Sequence, residues 1–313
     1  METALYSEAV CLAPIVLFVY NRPWHTMQTI EALKRNEFAN ESELFIYSDA
    51  PKNEQSTEKV TEVREYIKGI NGFKKVTIIE REYNWGLASS IIDGVTSILD
   101  KYEKVIVLED DLLTSQYFLI FINEALNIFG DREDICSITG FNFPSETMKF
   151  PHNYADDIFL NIRPMSWSWA TWKNKWNGVD WEVKDYQSFI SDKNEMRRFN
   201  RGGSDLTGML MAQKEGRVDS WYIRWCFHMI LNNKLTVYPR ISFVNNVGFD
   251  SSGRHGHIDK NNILSNNVLN MSPKLYINKH IQLNEKIVSR FNQTFNLTLC
   301  HKIKQIIKKI LNL

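Results

Sequence analysis

The sequence predicts an α/β protein built on a mainly parallel sheet flanked by helices. Three observations carry this. Short apolar runs recur with a helical segment between each pair, the spacing of βαβ units. The runs are continuous rather than alternating, as in strands covered on both faces. The most apolar of them, Val105-Ile106-Val107-Leu108, ends abruptly in Glu109-Asp110-Asp111.

Taken in order, Ile15–Val19 is the first strand and ends at Tyr20-Asn21-Arg22-Pro23. Pro23 sits well at a helix start. Met27, Ile30 and Leu33 give a helix over 24–34, and Leu44–Tyr47 is a second strand, closed by Ser48-Asp49. Val60, Val63 and Ile67 line one face of a charged helix over 54–68, and Lys75–Ile79 is a third strand. Asn84-Trp85-Gly86 turns into a helix bearing Leu87, Ile91, Val95 and Ile98; the strand with the carboxylates follows, then a helix through Phe118, Ile122, Ala125 and Phe129. In open α/β sheets ligands bind beyond the carboxyl ends of the strands. One rim therefore offers Asn21-Arg22, Asp49 and Glu109-Asp110-Asp111.

Three adjacent carboxylates beside a core repel one another and lose solvation. A divalent cation, Mg²⁺ or Mn²⁺, relieves that conflict, and such ions take carboxylates together with substrate phosphates. The bland alternative is a solvated acidic turn. Arg22 offers a fork suited to a diphosphate, and Asp49 an acceptor for a base or ribose. No GxGxxG or GxxxxGK[ST] occurs, which disfavours a dinucleotide fold and a P-loop.

In this order, Asn21-Arg22-Pro23, Ser48-Asp49, Asn84-Trp85-Gly86-Leu87 and Glu109-Asp110-Asp111 resemble the nucleotide-sugar half of a GT-A glycosyltransferase. The triplet is similar to the Glu-Asp-Asp of the N-acetylglucosaminyltransferase I family and its bacterial relatives. The resemblance implies an inverting transferase that uses a UDP-sugar, UDP-N-acetylglucosamine first, with Mn²⁺ or Mg²⁺. It implies the metal on Asp111, ribose and donor sugar near Asp110 and Glu109, uracil near Asp49 with Trp85 and Gly86 beside the donor, and nucleotide phosphates at Asn21 and Arg22. It spans residues 14–142 well, the Trp-rich region and 217–257 less closely, and nothing beyond.

The second half opens with a strand near Ile135–Gly140 and a loop-rich stretch over 141–157. Met165-Ser166-Trp167-Ser168-Trp169-Ala170-Thr171-Trp172 follows. Trp alternating with Ser suggests one buried and one open face, so Trp167 and Trp169, with Trp221, are candidate sugar platforms as well as candidate core. An inverting transfer needs one base for the acceptor hydroxyl. Asp219 resembles the family's acid before a Trp, although here Ser220 intervenes. The alternative makes Asp219 a helix cap, and Asp205, Asp180 and Glu182 are further candidates. A polar helix is expected over 184–200, another over 206–214, and strands at Leu235–Pro239 and Ile241–Val244. The Gly-rich stretch over 245–257, with His255, is a candidate cover for the diphosphate.

These elements divide the chain into a nucleotide-sugar half over 1–142, an acceptor half over 143–270 and a helical tail over 271–313. In the tail Leu299, Ile303, Ile306, Ile307 and Ile310 share a helical face flanked by Lys302, Lys304, Lys308 and Lys309, and no acid follows Glu285. A basic amphipathic helix suits an anionic membrane surface, here the inner face of the cytoplasmic membrane; docking on the domain is the alternative.

Composition agrees with an ordinary globular protein: 313 residues, 43% hydrophobic, 24% charged, formal net charge zero. A zero balance gives no reason to expect nucleic acid. The scattered Cys11, Cys136, Cys226 and Cys300 read as reduced thiols of a cytoplasmic protein. Ala9–Tyr20 is too short for a membrane span and lacks a basic leader. Two rival functions remain, a sugar nucleotidyltransferase and a non-catalytic sugar-binding or assembly protein. The first needs a Gly-rich loop after the first strand, where this chain has Asn21-Arg22-Pro23.

Overall fold

The structure, a computed structural model, describes residues 11–250 and 267–296. Its first half runs β1 (Ile15–Val19), α1 (Pro23–Lys34), β2 (Glu43–Ser48), α2 (Glu54–Lys68), β3 (Lys75–Glu80), α3 (Leu87–Leu99) and β4 (Lys104–Glu109). The local signals explain these limits. Pro23 opens α1. Asn53 and Ser56 form a reciprocal capping box at α2. Gly86, at φ 74°, turns the chain into α3. The four strands are parallel, in the order β3-β2-β1-β4.

The second half adds β5 (Leu112–Thr114), α4 (Phe118–Phe129), β6 (Ile135–Thr139), β7 (Ile158–Asn161), β8 (Trp169–Trp172), α5 (Lys173–Trp176), α6 (Tyr186–Ser191) and α7 (Lys193–Phe199). It continues through α8 (Leu206–Lys214), α9 (Trp221–Leu231), β9 (Leu235–Pro239), β10 (Val244–Asn246) and α10 (Glu285–Gln293). Among the described residues the main sheet has eight strands, β3-β2-β1-β4-β8-β6-β9-β7, and β10 pairs with β5 in a second sheet. Strand β8 is antiparallel to both neighbours, β4 and β6, and β7 is antiparallel to β9. The expected mainly parallel α/β sheet is present.

Several local expectations need correction. The helix expected over 184–200 is broken at Asp192, which leaves helical geometry to cap α7. The strand expected at Ile241–Val244 starts only at Val244 and pairs with β5. Strands β5 and β7 were not anticipated; three or four residues give too little periodicity to read. The tail expected from 271 onward is partly core. Ile287, Val288 and Phe291 of α10 are buried, with the Phe291 ring 4.8 Å from Tyr238. Residues 299–313, the expected membrane helix, lie outside the described residues.

Alternate residues of the strands feed opposite faces of the sheet. Leu17, Ile46 and Ile106 join Ile30 of α1, Val63 of α2 and Ile122 of α4 on one side. Val16, Phe18 and Val107 join Ile91 and Val95 of α3 and Trp225 of α9 on the other. Arg163 fastens the far half. Its guanidinium donates to Asp205 (2.8 and 3.0 Å) and Gly202 O (3.0 Å), and lies 3.7 Å from the Phe295 ring centroid. The side chain is 3% exposed. Removing one partner of a buried pair strands the other charge, so Arg163→Leu is expected to lower the unfolding free energy by about 3 kcal/mol. The check is a lower urea midpoint at unchanged slope.

Candidate active site

Strands β1 and β4 are neighbours, but the chain reaches β4 only after running outward through β2 and β3. Strand order therefore reverses between them, and the crevice at such a reversal is where open α/β sheets bind ligands. Arg22 leaves β1 and Glu109-Asp110-Asp111 leave β4 at this point, with Phe18 opposite Glu109 in register. The Arg22 guanidinium pairs with Asp110 and, at 3.0 Å, with Asp111. Thr29 of α1 donates to the Asp110 carbonyl at 2.8 Å, a second tie between the two strand ends.

One guanidinium thus faces three carboxyls. Burial pushes the Asp110 carboxyl up to about 6, against the pull of Arg22. Burial pushes Glu109 further, to about 8, and the charges of Asp111 and Asp110 add to it. Burial opposes the charge on Arg22, but Asp110 and Asp111 outweigh it and hold its pKa above the usual value.

Among the described residues no group of three or more His, Cys, Asp or Glu converges as a metal cluster. A Mg²⁺-type site built from one carboxylate, water and substrate phosphates does not require one. The excess of carboxyls over cations, with Glu109 driven toward its neutral form, is the charge deficit a divalent ion offsets, so the residues fit such an ion.

Asp49 is fully engaged. Its carboxylate accepts from the Ala50, Trp85 and Gly86 amides (each 2.9 Å) and from Asn84 Nδ2 (3.0 Å). Four donors fill the roughly four lone-pair sites of a carboxylate. The expectation that Asp49 faces the base gives way: Asp49 instead pins the Asn84-Trp85-Gly86 turn on which α3 begins. Arg81 lies 3.8 Å over the Trp85 ring, and Tyr83 stacks at 5.7 Å.

Two further side chains at this rim were missed in the sequence. Trp24 is 62% exposed. It shares an open cleft of ≈ 390 Å³ with Asn21, Arg22, Pro23, His25, Lys59 and Glu62. Trp24 and His25 follow Arg22-Pro23 in the first turn of α1, and that position was the available signal.

The described part of the Gly-rich stretch lies over the acidic triplet. Val247 N donates to the Asp111 carbonyl at 2.9 Å, and β10 pairs with β5 just beyond it. At Gly248 a Cβ would overlap the Asp111 carboxylate and lie 3.2 Å from Arg22 Nη1, so only glycine permits this approach. His25 pairs with Asp250 at 3.1 Å, and Phe249 meets Trp167 at 5.6 Å. His255 lies outside the described residues.

The tryptophans divide. Trp167 is half-buried at the rim. Trp169 and Trp221 are 1% and 2% exposed and stack on each other at 4.9 Å. Neither can serve as a sugar platform. The open face expected from Ser–Trp alternation does not exist, because β8 is a central strand with α3 and α9 packed over it. Trp169 pairs with Val107, two residues before Glu109, so its stacking with Trp221 brings the start of α9 toward the triplet's rim. Ser220 caps α9, its Oγ accepting from Ile223 N at 3.4 Å. Asp219 precedes the cap, pairs with Arg224 at 3.0 Å and keeps its side chain 53% exposed. Asp205 is committed to Arg163, and Asp180 accepts from the Glu182 and Lys184 amides.

No protein-family model and no curated protein matches the chain. Solved structures do. Staphylococcus aureus TarS is similar over 54% of this chain and 30% of its own, at 16% identity and TM-score 0.36. Its 1–349 fragment in complex with UDP-GlcNAc is similar over 74% and 57%, at 12% identity and TM-score 0.39. The mannosyltransferase PcManGT of Pyrobaculum calidifontis, in complex with GDP-Man and Mn²⁺, is similar over 72% and 75%, at 11% identity and TM-score 0.39. The chain thus spans 30% and 57% of the two TarS chains. At these TM-scores the likenesses carry no functional argument, which falls to the site itself.

Glu109 supplies a test of the electrostatics that needs no ligand. Its folded pKa of about 8 exceeds the ordinary 4.5, so the folded state holds the proton more tightly. The resulting stabilisation is complete below the ordinary value and disappears as pH rises through the folded one. With chelator present, Glu109→Gln is expected to match the wild-type Tm near about pH 5 and to exceed it by several degrees near about pH 9. Parallel thermal unfolding curves over that range check it.

Proposed function

We propose that the chain is an inverting GT-A-type glycosyltransferase, moving a sugar from a UDP-sugar, UDP-N-acetylglucosamine first, to a hydroxyl of a glycan or lipid-linked glycan. One observation carries the reading: Arg22 and the Glu109-Asp110-Asp111 carboxylates meet at the β1–β4 reversal, the point where an open α/β sheet takes a nucleotide.

Asp111 is the residue to hold a divalent cation, with Asp110 and Glu109 near ribose and donor sugar. When bound, that ion supplies charge neutralisation for the departing diphosphate. Asn21 and Arg22 stand at the phosphates. The turn pinned by Asp49 presents Trp85 and Gly86 to the nucleoside. Trp167, half-buried and against Phe249, is the remaining candidate platform for a sugar.

Asp219 acts as base. It takes the proton of the acceptor hydroxyl while that oxygen bonds to the anomeric carbon, and the bond from that carbon to the diphosphate oxygen breaks. Arg224 restricts the Asp219 carboxylate to the start of α9. None of the described helices is long and apolar enough to cross a membrane. The contact with an anionic surface on the cytoplasmic side belongs to residues 299–313, whose basic, one-faced pattern supports it.

Calorimetric titration of UDP with Mn²⁺, then with excess chelator, is the test. Wild type is expected to bind UDP with the metal and to lose binding with chelator; Asp111→Ala is expected to lose the metal-dependent part. Asp219→Asn is expected to keep UDP affinity and to lower kcat by roughly 10²–10⁴-fold, the usual size of a general-base contribution. Metal-independent binding, or none, overturns the metal reading or the donor site respectively.

A further inference from the structure

We infer that Arg22 is a resident counter-cation that closes the acidic site to a free divalent ion until a diphosphate draws the guanidinium away. Cation and nucleotide then bind jointly rather than each alone. The inference rests on the donor site proposed above and concerns how it fills.

Both arms of the Arg22 fork are already spent on carboxylates, one on Asp110 and one on Asp111 Oδ2. The second contact occupies the carboxylate proposed for the metal. The assembly is sheltered: side-chain exposure is 17% for Arg22, 5% for Asp110 and 14% for Asp111. Gly248 closes one side, its Cα packed so tightly that an added Cβ would strike Asp111 and press on Arg22 Nη1. A guanidinium and a divalent ion cannot both sit on one carboxylate oxygen without strong repulsion, least of all away from bulk water. A cation entering by itself must therefore expel Arg22 from the two carboxylates it now pairs with.

A diphosphate changes that balance. The fork that suits a carboxylate suits a phosphate equally well. If cation and diphosphate arrive together, the ion takes the carboxylates, the guanidinium takes a phosphate, and neither cation is left without an anion. Thermodynamic linkage then requires each ligand to raise the other's affinity by one common factor.

The experiment is titration of MnCl₂ into wild type, Arg22→Gln and Arg22→Lys, each with and without saturating UDP, with folding checked by thermal unfolding. Wild type is expected to bind Mn²⁺ at least ~10-fold more tightly with UDP present, a coupling within the usual range. Arg22→Gln is expected to bind Mn²⁺ alone at least ~10-fold more tightly than wild type does, with the coupling to UDP largely lost. A merely structural role for Arg22 would not raise any affinity. Arg22→Lys keeps the charge, so its affinity for Mn²⁺ alone is expected to stay close to wild type; if the Gln variant does not fold, Arg22→Met, which also removes the charge, takes its place with the same expectation. Mn²⁺ affinity in the folded charge-removing variant equal to or below wild type overturns the inference. Absence of UDP binding by wild type under every condition overturns the donor site instead, and the Mn²⁺-only comparison still judges Arg22.

Discussion

The structure turns on how three carboxylates are kept at the end of its central strand. Apolar neighbours on both faces of β4 leave Glu109, Asp110 and Asp111 little water, and the fold answers with a single cation from the adjacent strand. The answer is incomplete, since burial and the neighbouring carboxylates push Glu109 toward its neutral form. Much of the rim follows from this. Thr29 braces the Asp110 backbone, β10 folds back on β5, and Gly248 lets that return pass directly over the ion pair. Charge is thereby concentrated at one end of the central strand, facing a crevice.

The second half of the chain solves a different problem. Asp219 lies just before the cap of α9, and aromatic rings fix that helix against the sheet. Trp169 links β8 to Trp221, while Trp176 and Trp225 pack behind it. Broad rings resist sliding, and their stacked and tilted contacts add to the burial itself.

The first half of the chain is readable because its signals are strong and local. Apolar runs of strand length, the one-faced apolar pattern of α2 and the Pro and Gly boundaries of α1 and α3 each fix an element without reference to the rest. The rim residues followed, because strand ends in parallel sheets share one edge. What stayed hidden depends on distant partners. Asp49 looked like a free acceptor until Asn84, Trp85 and Gly86 filled it. Trp169 looked half-open because a central antiparallel strand and an edge strand can share one sequence pattern. Gly248 was one glycine in a Gly-rich stretch, and nothing local said it would lie on Asp111.

The place of β8 has a consequence for how the chain is made. Strand β4 has β1 on one side and β8 on the other, yet β8 is translated long after it. Until β8 is made, the β4 edge that it covers lacks its partner amides and carbonyls, beside a cluster of carboxylates. The β4–β8 pairing crosses the sequence division at residue 142. The Trp169–Trp172 strand covers that edge, and a nascent or truncated chain lacking it exposes the Lys104–Glu109 edge to any strand that meets it.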